Sequence, residues 1–425
     1  MGVASARLLT ACGDSAAKGG GAMAGGAKLA MADVSRQTGS KADGGTVARA
    51  ISGFTVDLYH QLDSVKGNLV CSPYSVAMAL AMTLNGARGR TAAEIDKVLN
   101  AGPLPAYDDG FGWLDQELES RAGTRTRLDK THATVGLDTA NSLWGQLDTT
   151  WEKPFLTTLA GAYGAGMHLV DYQADSDGAR SQINTWTADQ THDRIKEIIP
   201  AGVLDAMTRL VLVNAIWFKA PWEETFEKTA TAPAPFTRGD GSKVQADLMS
   251  HSFDQADYTS GTGWKAARLR YVGRELAMAV VVPDDDLATV EEALAGDGLT
   301  DLLASFEPTP GLTVEMPRWT FRTATPLNDP LKSLGMPTAF SDSADFSGMT
   351  KDEALMIDQV LHQAFIAVDE DGTEAAAATA VVMRTTSSAG GRALTVRADR
   401  AFLFVLHDVA TGTPLFIGRV DDPTA

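Results

Sequence analysis

The most constraining feature of this sequence is a nearly continuous apolar run, LVLVNAIWF at residues 210–218. The run is too short and too rich in β-branched residues to favour a helix, and it lacks the alternation of a strand with one wet face. It therefore predicts a strand that is buried on both faces. Such a strand needs cover above and below, so its sheet must lie inside a layered fold.

The rest of the chain mixes strand and helix signals without regular alternation. Ser72-Pro73 predicts a helix start, with a serine cap and a proline in the first turn, and Asn85-Gly86 predicts its end. Thr91 and Glu94 have the spacing of a capping box, which predicts a second helix start. Further strands are predicted at residues 276–282 and 312–321, and in a C-terminal hairpin at 402–407 and 414–420. This pattern favours an α+β fold with large sheets.

Composition and charge exclude several kinds of partner. The 425-residue chain is 44% hydrophobic and has a net charge of −18, from 36 basic and 54 acidic residues. That charge argues against nucleic acid, heparin-like polyanions and anionic membranes as partners. No apolar run approaches the roughly 18 residues of a membrane span. The histidines show no metal-ligand spacing, so we expect no metal and no cofactor.

Residues 1–45 differ from the remainder, because they are rich in Ala, Gly and Lys and have little to bury. They predict a flexible leader or tether, followed by a single domain at 46–425. The sequence Leu9-Thr-Ala-Cys12 resembles a bacterial lipoprotein signal, which would make Cys12 a lipidation site and the protein extracellular or attached to the cell surface. The alternative is a chance match in an Ala-rich leader.

The segment DEDGTEAAAATAVVMRTTSSAGG, residues 369–391, opens with acids and a glycine and then runs through small residues. Thr373 and its alternate neighbours as far as Met383 are all small or apolar. Both charged residues of this stretch, Glu374 and Arg384, fall on the other parity. Because side chains alternate across a strand, the segment could enter a sheet with both charges outward. The alternative from its alanines is a helix.

The segment resembles the hinge and reactive-centre loop of a serpin, and the resemblance covers nearly all of residues 47–423. The motifs that carry it follow in order along the chain: NLVCSPYS (68–75), LNGARGRTAAEI (84–95), LVNAIWFKAPW (212–222), MPRW (316–319), DSADFSGMT (342–350), HQAFIAVDEDGTEAAAAT (362–379) and FLFVLHDVATGTPLFIGRV (402–420). The chain is thus identified as a serpin, with a bacterial origin suggested by its Ala/Gly-rich leader. The resemblance implies large mixed sheets, about nine helices and an exposed reactive-centre loop.

The resemblance also implies roles for particular residues in a monomeric, irreversible inhibitor of serine proteases. In that mechanism the cleaved loop inserts into a β-sheet as a new strand, and the chain itself supplies no catalytic residue. Trp222 would lie in the breach, where insertion begins. The shutter under the sheet would contain Ser72, Ser75, Asn214 and His362. The hinge would comprise Glu370, Gly372, Thr373, Glu374, Ala375, Ala376, Ala377, Ala378 and Thr379.

The bond that a protease would cut can be counted from the hinge. If Glu370 is the seventeenth residue before the cut, the scissile bond joins Thr386 and Ser387. That site suits proteases with small primary pockets, which are elastase-like or subtilisin-like. The rival is the bond between Arg384 and Thr385, which would attract trypsin-like enzymes.

Two other functions remain open on the sequence alone. Ser72 or Ser75 could pair with His362 in a hydrolase, although Ser72 lies at a predicted helix cap with no nucleophile-elbow sequence around it. The chain could also be a non-inhibitory serpin that acts as a binding or storage protein. The absence of proline and of bulky residues from 373–379 favours the inhibitor.

Overall fold

The structure is a computed structural model that describes residues 27–62, 65–374 and 394–425. These residues form nine α-helices around two large β-sheets, which confirms the α+β architecture. The helices are α1 (Lys41–Gln61), α2 (Pro73–Leu84), α3 (Gly89–Leu99), α4 (Leu104–Glu119), α5 (Lys153–Tyr163), α6 (Tyr172–Gln190), α7 (Leu287–Ala293), α8 (Gly298–Ala304) and α9 (Asn328–Leu334).

The first sheet, here called sheet A, has eight strands in the described residues. They are β1 (Lys28–Ala30), β3 (Gly123–Thr126), β4 (His132–Gln146), β5 (Met167–Val170), β6 (Leu210–Pro221), β12 (Trp319–Pro326), β13 (Gln359–Val368) and β14 (Gly372–Thr373). Their spatial order is β1-β5-β4-β6-β14-β13-β12, with β3 paired to β4. Strands β6 and β13 run parallel, whereas β4 and β6 are antiparallel, so the sheet is mixed.

The second sheet, sheet B, has nine strands in the described part of the chain. They are β2 (Leu69–Cys71), β7 (Ala232–Thr237), β8 (Lys243–Gly261), β9 (Trp264–Arg270), β10 (Leu276–Pro283), β11 (Glu307–Pro317), β15 (Leu394–Arg397), β16 (Phe402–Asp408) and β17 (Pro414–Val420). The predicted C-terminal hairpin is confirmed, since β16 and β17 pair antiparallel.

Strand β6 is apolar on both faces because both faces are covered. Leu210, Leu212 and Ile216 point into the main core, which continues into sheet B. Val211 and Val213 point the other way, into a smaller core that α6 covers. The inner face rests on α2, which packs against β4 and β6 of sheet A and β17 of sheet B. This two-sided cover is what the apolar run predicted.

The start of α2 is confirmed: Ser72 caps it by accepting a hydrogen bond from the Ser75 amide, and Pro73 lies in the first turn. The capping box at Thr91 and Glu94 was wrong, because α3 begins at Gly89 without a side-chain cap. Instead, Thr91 Oγ1 accepts from the Asp345 amide and the Glu94 carboxylate accepts from Thr338. Both side chains are used in tertiary contacts, which outweigh the local motif.

Two other boundaries differ from the sequence prediction. The run at 312–321 is not one strand: the ladder breaks at Arg318, where β11 leaves sheet B and β12 begins in sheet A. Part of the predicted leader is also folded, since β1 pairs with β5 and α1 begins at Lys41. Polar contacts of this short stretch with α4 and α5 hold it in place, and these could not be predicted from its composition.

No helix of the described ranges combines the length and apolarity needed to cross a bilayer. Within those ranges, no group of three or more His, Cys, Asp or Glu side chains is arranged to hold a metal ion.

Candidate functional site: the junction of β6 and β13

The middle of the junction is a buried polar cluster under the parallel pair. His362 on β13 lies directly opposite Asn214 on β6. Its Nε2 accepts a hydrogen bond of 3.0 Å from the backbone N–H of Ser72, so its ring proton belongs on Nδ1. Ser75 Oγ bonds Asn141 Oδ1 on β4, which is the cross-strand partner of Asn214. The structure therefore brings together the four residues assigned to the shutter and adds Asn141.

Three atoms of this cluster have unmet hydrogen-bonding capacity. Among the described residues, neither the amide nitrogen nor the amide oxygen of Asn214 has a side-chain hydrogen bond, and His362 Nδ1 also lacks one of good geometry. Asn214 is fully buried and His362 is 2% exposed. A buried polar group without a partner costs free energy, so this closed arrangement of the sheet leaves capacity that another polar group could satisfy.

The same geometry is unsuited to a serine hydrolase. His362 contacts the backbone N–H of Ser72 rather than its hydroxyl. The Ser75 hydroxyl is used by Asn141, and both serines are completely buried. A nucleophile needs a hydrogen-bonded base and access for substrate, and this cluster provides neither. It is a structural cluster beneath the sheet.

Burial lowers the pKa of His362 to about 4, an effect partly opposed by the backbone of Asn214. Two other buried histidines behave alike: burial lowers the pKa of His168 and of His407 to about 4. A histidine with a lowered folded pKa binds protons more readily in the unfolded chain. Its contribution to stability is therefore present at neutral pH and is lost as the pH falls from about 6.5 towards 4.

We expect His362→Gln to reduce the acid sensitivity of the fold, because glutamine can accept the Ser72 hydrogen bond without titrating. The shift of His362 corresponds to a loss of about 2 kcal/mol between pH 7 and pH 5. Asp108, whose pKa burial raises to about 6, works in the opposite direction. The measurement is the free energy of unfolding in urea at both pH values, with exposed His132→Gln as the control. An unchanged pH dependence in His362→Gln would contradict the assignment.

The upper end of the junction holds the start of the hinge. Strand β14 lies between β6 and β13, with Thr373 opposite Ala220 on one side and Val368 on the other. Gly372 passes so close to β6 that a Cβ atom would overlap the Ala220 carbonyl oxygen. Only glycine fits this approach. Two residues of the hinge thus already occupy strand positions.

Thr373 faces the core beneath sheet A. It is 2% exposed, and its hydroxyl lies 2.7 Å from the Tyr271 hydroxyl. The Tyr271 ring stacks on Trp222, with centroids 4.5 Å apart and an interplanar angle of 12°. Trp222 Nε1 donates to the Asp369 carbonyl at 3.0 Å. Trp222 therefore supports the turn that leads into Thr373.

Glu374 faces the opposite side, as its parity predicted. Its Oε2 accepts a hydrogen bond of 2.8 Å from Trp217 Nε1, and Arg194 lies 3.3 Å away. Burial raises the pKa of Glu374, while Trp217 and Arg194 act in the other direction. The residue has a φ of +49°, a left-handed conformation that costs energy in a residue other than glycine. The contacts with Trp217 and Arg194 fix the chain at Glu374, the first residue after β14 ends.

Two acids in the turn before Thr373, Glu370 of the hinge and Asp371, lie near cations from different segments. Glu370 is 4% exposed, accepts a 2.6 Å hydrogen bond from the Thr231 hydroxyl and lies 3.9 Å from Arg318. Asp371 pairs with Lys228 at 2.8 Å, and this hydrogen bond raises the pKa of Lys228. The turn before Thr373 is therefore anchored on both sides.

Several predicted site residues lie outside the described residues: Cys12, Ala375, Ala376, Ala377, Ala378, Thr379, Arg384, Thr385, Thr386 and Ser387. The sequence analysis missed Asn141, Arg194, Trp217 and Tyr271. Of these, Trp217 had a usable signal, because it shares the parity of Val211 and Val213 on β6. The others come from distant segments and carried none.

Comparison with known proteins agrees with this geometry. The sequence model of the Serpin (serine protease inhibitor) family matches residues 49–423. Leukocyte elastase inhibitor A of Rattus norvegicus is 34% identical over 89% of this chain and 99% of its own length. An uncharacterised serpin-like protein of Thermococcus kodakarensis is 34% identical over 89% of this chain and 86% of its own.

Solved structures show the same fold. Tengpin, a thermophilic serpin in its native state, superposes with a TM-score of 0.80 at 27% identity, covering 92% of this chain and 97% of tengpin. Uncleaved ovalbumin gives 0.76 at 25% identity, covering 89% and 100%. A two-sheet α+β fold with a hinge entering between parallel strands defines the serpin class, and this chain belongs to the serpin family. It is a member of a family of protease inhibitors rather than of enzymes.

Proposed function

We propose that this protein is an irreversible suicide inhibitor of serine proteases, which traps the acyl-enzyme by inserting its cleaved loop into sheet A. The observation that carries the proposal is the position of Thr373, which is already paired with both β6 and β13. The start of the hinge thus already lies between β6 and β13, where the rest of the loop would insert.

The register of Thr373 defines where later residues would go. Continued one residue at a time, it pairs Thr379 with Asn214 on β6 and with His362 on β13, which face each other in the closed sheet. Thr379 has the same parity as Thr373, so its hydroxyl would point inward. It would meet the Asn214 amide and His362 Nδ1, the atoms that lack partners in the closed sheet. Insertion would therefore satisfy buried polar groups as well as add a strand.

In the same register, an inserted strand would reach the end of β6 near Arg384. Strand β6 begins at Leu210, which would face Met383, and the next position would set Arg384 opposite Arg209. Two arginines directly opposite each other are destabilising, so Arg384 marks the end of the favourable insertion. A cut between Thr386 and Ser387 leaves enough chain to fill the sheet. The rival scissile bond joins Arg384 and Thr385. Cleavage there would leave a shorter inserted strand, which would stop at the edge of the sheet.

Insertion replaces the parallel contact between β6 and β13 with two antiparallel ladders. The net gain is on the order of ten backbone hydrogen bonds at roughly 0.5–1.5 kcal/mol each. That total is about 10 kcal/mol before ordering costs, which is comparable to the stability of a whole domain. The uncleaved protein would then be held by a kinetic barrier.

In the proposed mechanism the protease supplies the chemistry. Its serine attacks the carbonyl carbon of Thr386, the peptide bond to Ser387 breaks, and the new amino group leaves with the C-terminal segment. The acyl-enzyme ester then joins Thr386 to the protease. Insertion of residues 374–383 carries the protease away from the hinge and deforms its active site before water can hydrolyse the ester.

The relatives named leukocyte elastase inhibitor support an elastase-like target, in keeping with a threonine before the cut. We expect a covalent band at the summed mass when the protein is mixed with an elastase-like or subtilisin-like protease and run on a denaturing gel. Intact-mass analysis of the released C-terminal fragment identifies the bond. Cleavage without such a band would support a non-inhibitory serpin, and complex formation with trypsin-like enzymes alone would favour Arg384.

A further inference from the structure

The inference concerns two exposed methionines at the end of sheet A where β6 begins. Met207 is 75% exposed, the largest fraction among the large apolar side chains of the described residues, and Met356 is 37% exposed. Met207 comes three residues before β6, and Met356 comes three residues before β13. Because β6 and β13 run parallel, both residues lie at the same end of the sheet. They are here called the methionine pair.

The backbone that carries each methionine is held in place. The Met207 amide donates to Asp205 Oδ1 at 2.8 Å. Met356 lies between Leu355 and Ile357, whose side chains are buried in the main core. Covering a side chain on such fixed backbone costs little conformational freedom. Exposed apolar side chains are nevertheless common on protein surfaces, so their partner has to be identified from other observations.

The pairing of Thr373 identifies that partner. Thr373 lies between β6 and β13 in a defined register, which fixes a count for the residues that would follow it into the sheet. Continued one residue at a time past the start of β6, the count sets Thr386 level with Met207. It sets Thr385 level with Met356. The ester of the proposed acyl-enzyme is on Thr386, so the catalytic serine of the trapped protease would lie level with Met207.

The short tether brings the body of the protease onto this end of the sheet. Thr386 follows Met383, the residue that would face Leu210 at the start of β6, by three positions, which span about 10 Å in an extended chain. A domain of roughly 200 residues has a radius of gyration of about 16 Å. A body of that size, bound on so short a tether, would overlie the chain on both sides of the inserted strand. Met207 lies on the β6 side and Met356 on the β13 side.

Methionine has suitable chemistry for contact with a deformed protein. Its side chain is unbranched and adapts to irregular surfaces, and methionine-rich surfaces can repack against different partners. Apolar area buried in this contact would favour the arrangement in which the protease is pressed against sheet A. Recovery of the active site requires the protease to move away and to expose that area again. The contact would therefore slow hydrolysis of the ester.

We propose that the methionine pair is a contact surface for the trapped serine protease and lengthens the lifetime of the covalent complex. The inference rests on the proposed inhibitor function and on the scissile bond at Thr386. Met207 and Met356 act as positioning residues: they touch the body of the protease and not the reacting atoms. They take no part in cleavage or in the entry of the hinge into the sheet.

The contact is tested directly by brief oxidation with hydrogen peroxide, followed by peptide mass spectrometry. The samples are intact inhibitor, its purified covalent complex with an elastase-like protease, and the cleaved inhibitor left after the complex has decayed, each with free methionine as internal standard. We expect Met207 and Met356 to oxidise about fivefold more slowly in the complex than in the cleaved inhibitor, since susceptibility follows exposure. Equal rates in these two samples would overturn the proposal. Protection in intact inhibitor that grows with its concentration would also overturn it, by assigning the pair to a contact between two copies.

The effect on lifetime is tested with a double variant, Met207→Gln with Met356→Gln, which keeps the length of both side chains. Leu128→Gln is the control, because Leu128 is 61% exposed but precedes β4 at the hinge end of sheet A. We expect the double variant to release active protease about tenfold faster than wild type, the effect of 1.4 kcal/mol on a barrier. Its rate of cleavage and the melting temperature of its cleaved form should be unchanged, and Leu128→Gln should release protease at the wild-type rate.

A wild-type rate of release from the double variant would overturn the role of the methionine pair. Failure of the inhibitor function has a different signature, because wild-type protein would then form no covalent complex with any serine protease. A covalent complex in which Met207 stays as reactive as in the cleaved inhibitor would refute the contact alone.

Discussion

Thr373→Arg is expected to convert the protein from an inhibitor into a substrate. Thr373 is 2% exposed between β6 and β13, with its hydroxyl on Tyr271 above the Trp222 ring. An arginine there must bury its guanidinium among aromatic rings before the loop can advance, at a cost of several kcal/mol. Deacylation would then outrun insertion. The covalent band with an elastase-like protease should fall at least tenfold while cleavage continues.

Thr373→Ser is the matched control, because it keeps the hydroxyl that contacts Tyr271 and adds no bulk. It should form complexes with a stoichiometry near that of wild type. If Thr373→Arg trapped protease as fully as Thr373→Ser, Thr373 would not have to enter the sheet, and the inward face assigned to this strand would be wrong.

Cleavage within residues 384–387 is expected to raise the melting temperature by about 10–20 °C. The estimate converts a gain of about 10 kcal/mol into temperature with the entropy of unfolding of a chain of this size. Differential scanning calorimetry on wild-type protein before and after limited proteolysis measures it directly. Ordinary globular proteins gain no stability from a nick, because a cut loop only adds freedom to the chain.

The same calorimetric comparison on Thr373→Arg separates insertion from cleavage. This variant should be cut at the same bond but show little or no rise, since its hinge cannot advance. A full rise in Thr373→Arg would mean that the stabilisation arises elsewhere than in sheet A. Equal melting temperatures for intact and cleaved wild type would contradict stored energy in the native fold, and with it the inhibitor mechanism.

Local sequence patterns correctly predicted those features that depend only on residues adjacent in the sequence. The cap at Ser72 is set by the serine side chain and the following proline. The inward direction of Thr373 follows from the alternation of the strand that contains it. By contrast, the capping box at Thr91 failed because a distant segment took up both polar side chains, and no local rule anticipates that competition.

The sequence alone determined that β6 is covered on both faces and that the chain is α+β, and it predicts that the stretch after Gly372 can form a strand in a single register. Hydrophobic periodicity decides these features, and it is written in consecutive residues. Only the tertiary structure showed the polar atoms left without partners at Asn214, the ion pair of Arg194 with Glu374, and the ion pair of Arg36 with Asp115. These contacts depend on which side chains from distant segments meet in the fold. The position of a charged or hydrogen-bonding residue in the sequence does not indicate its partner.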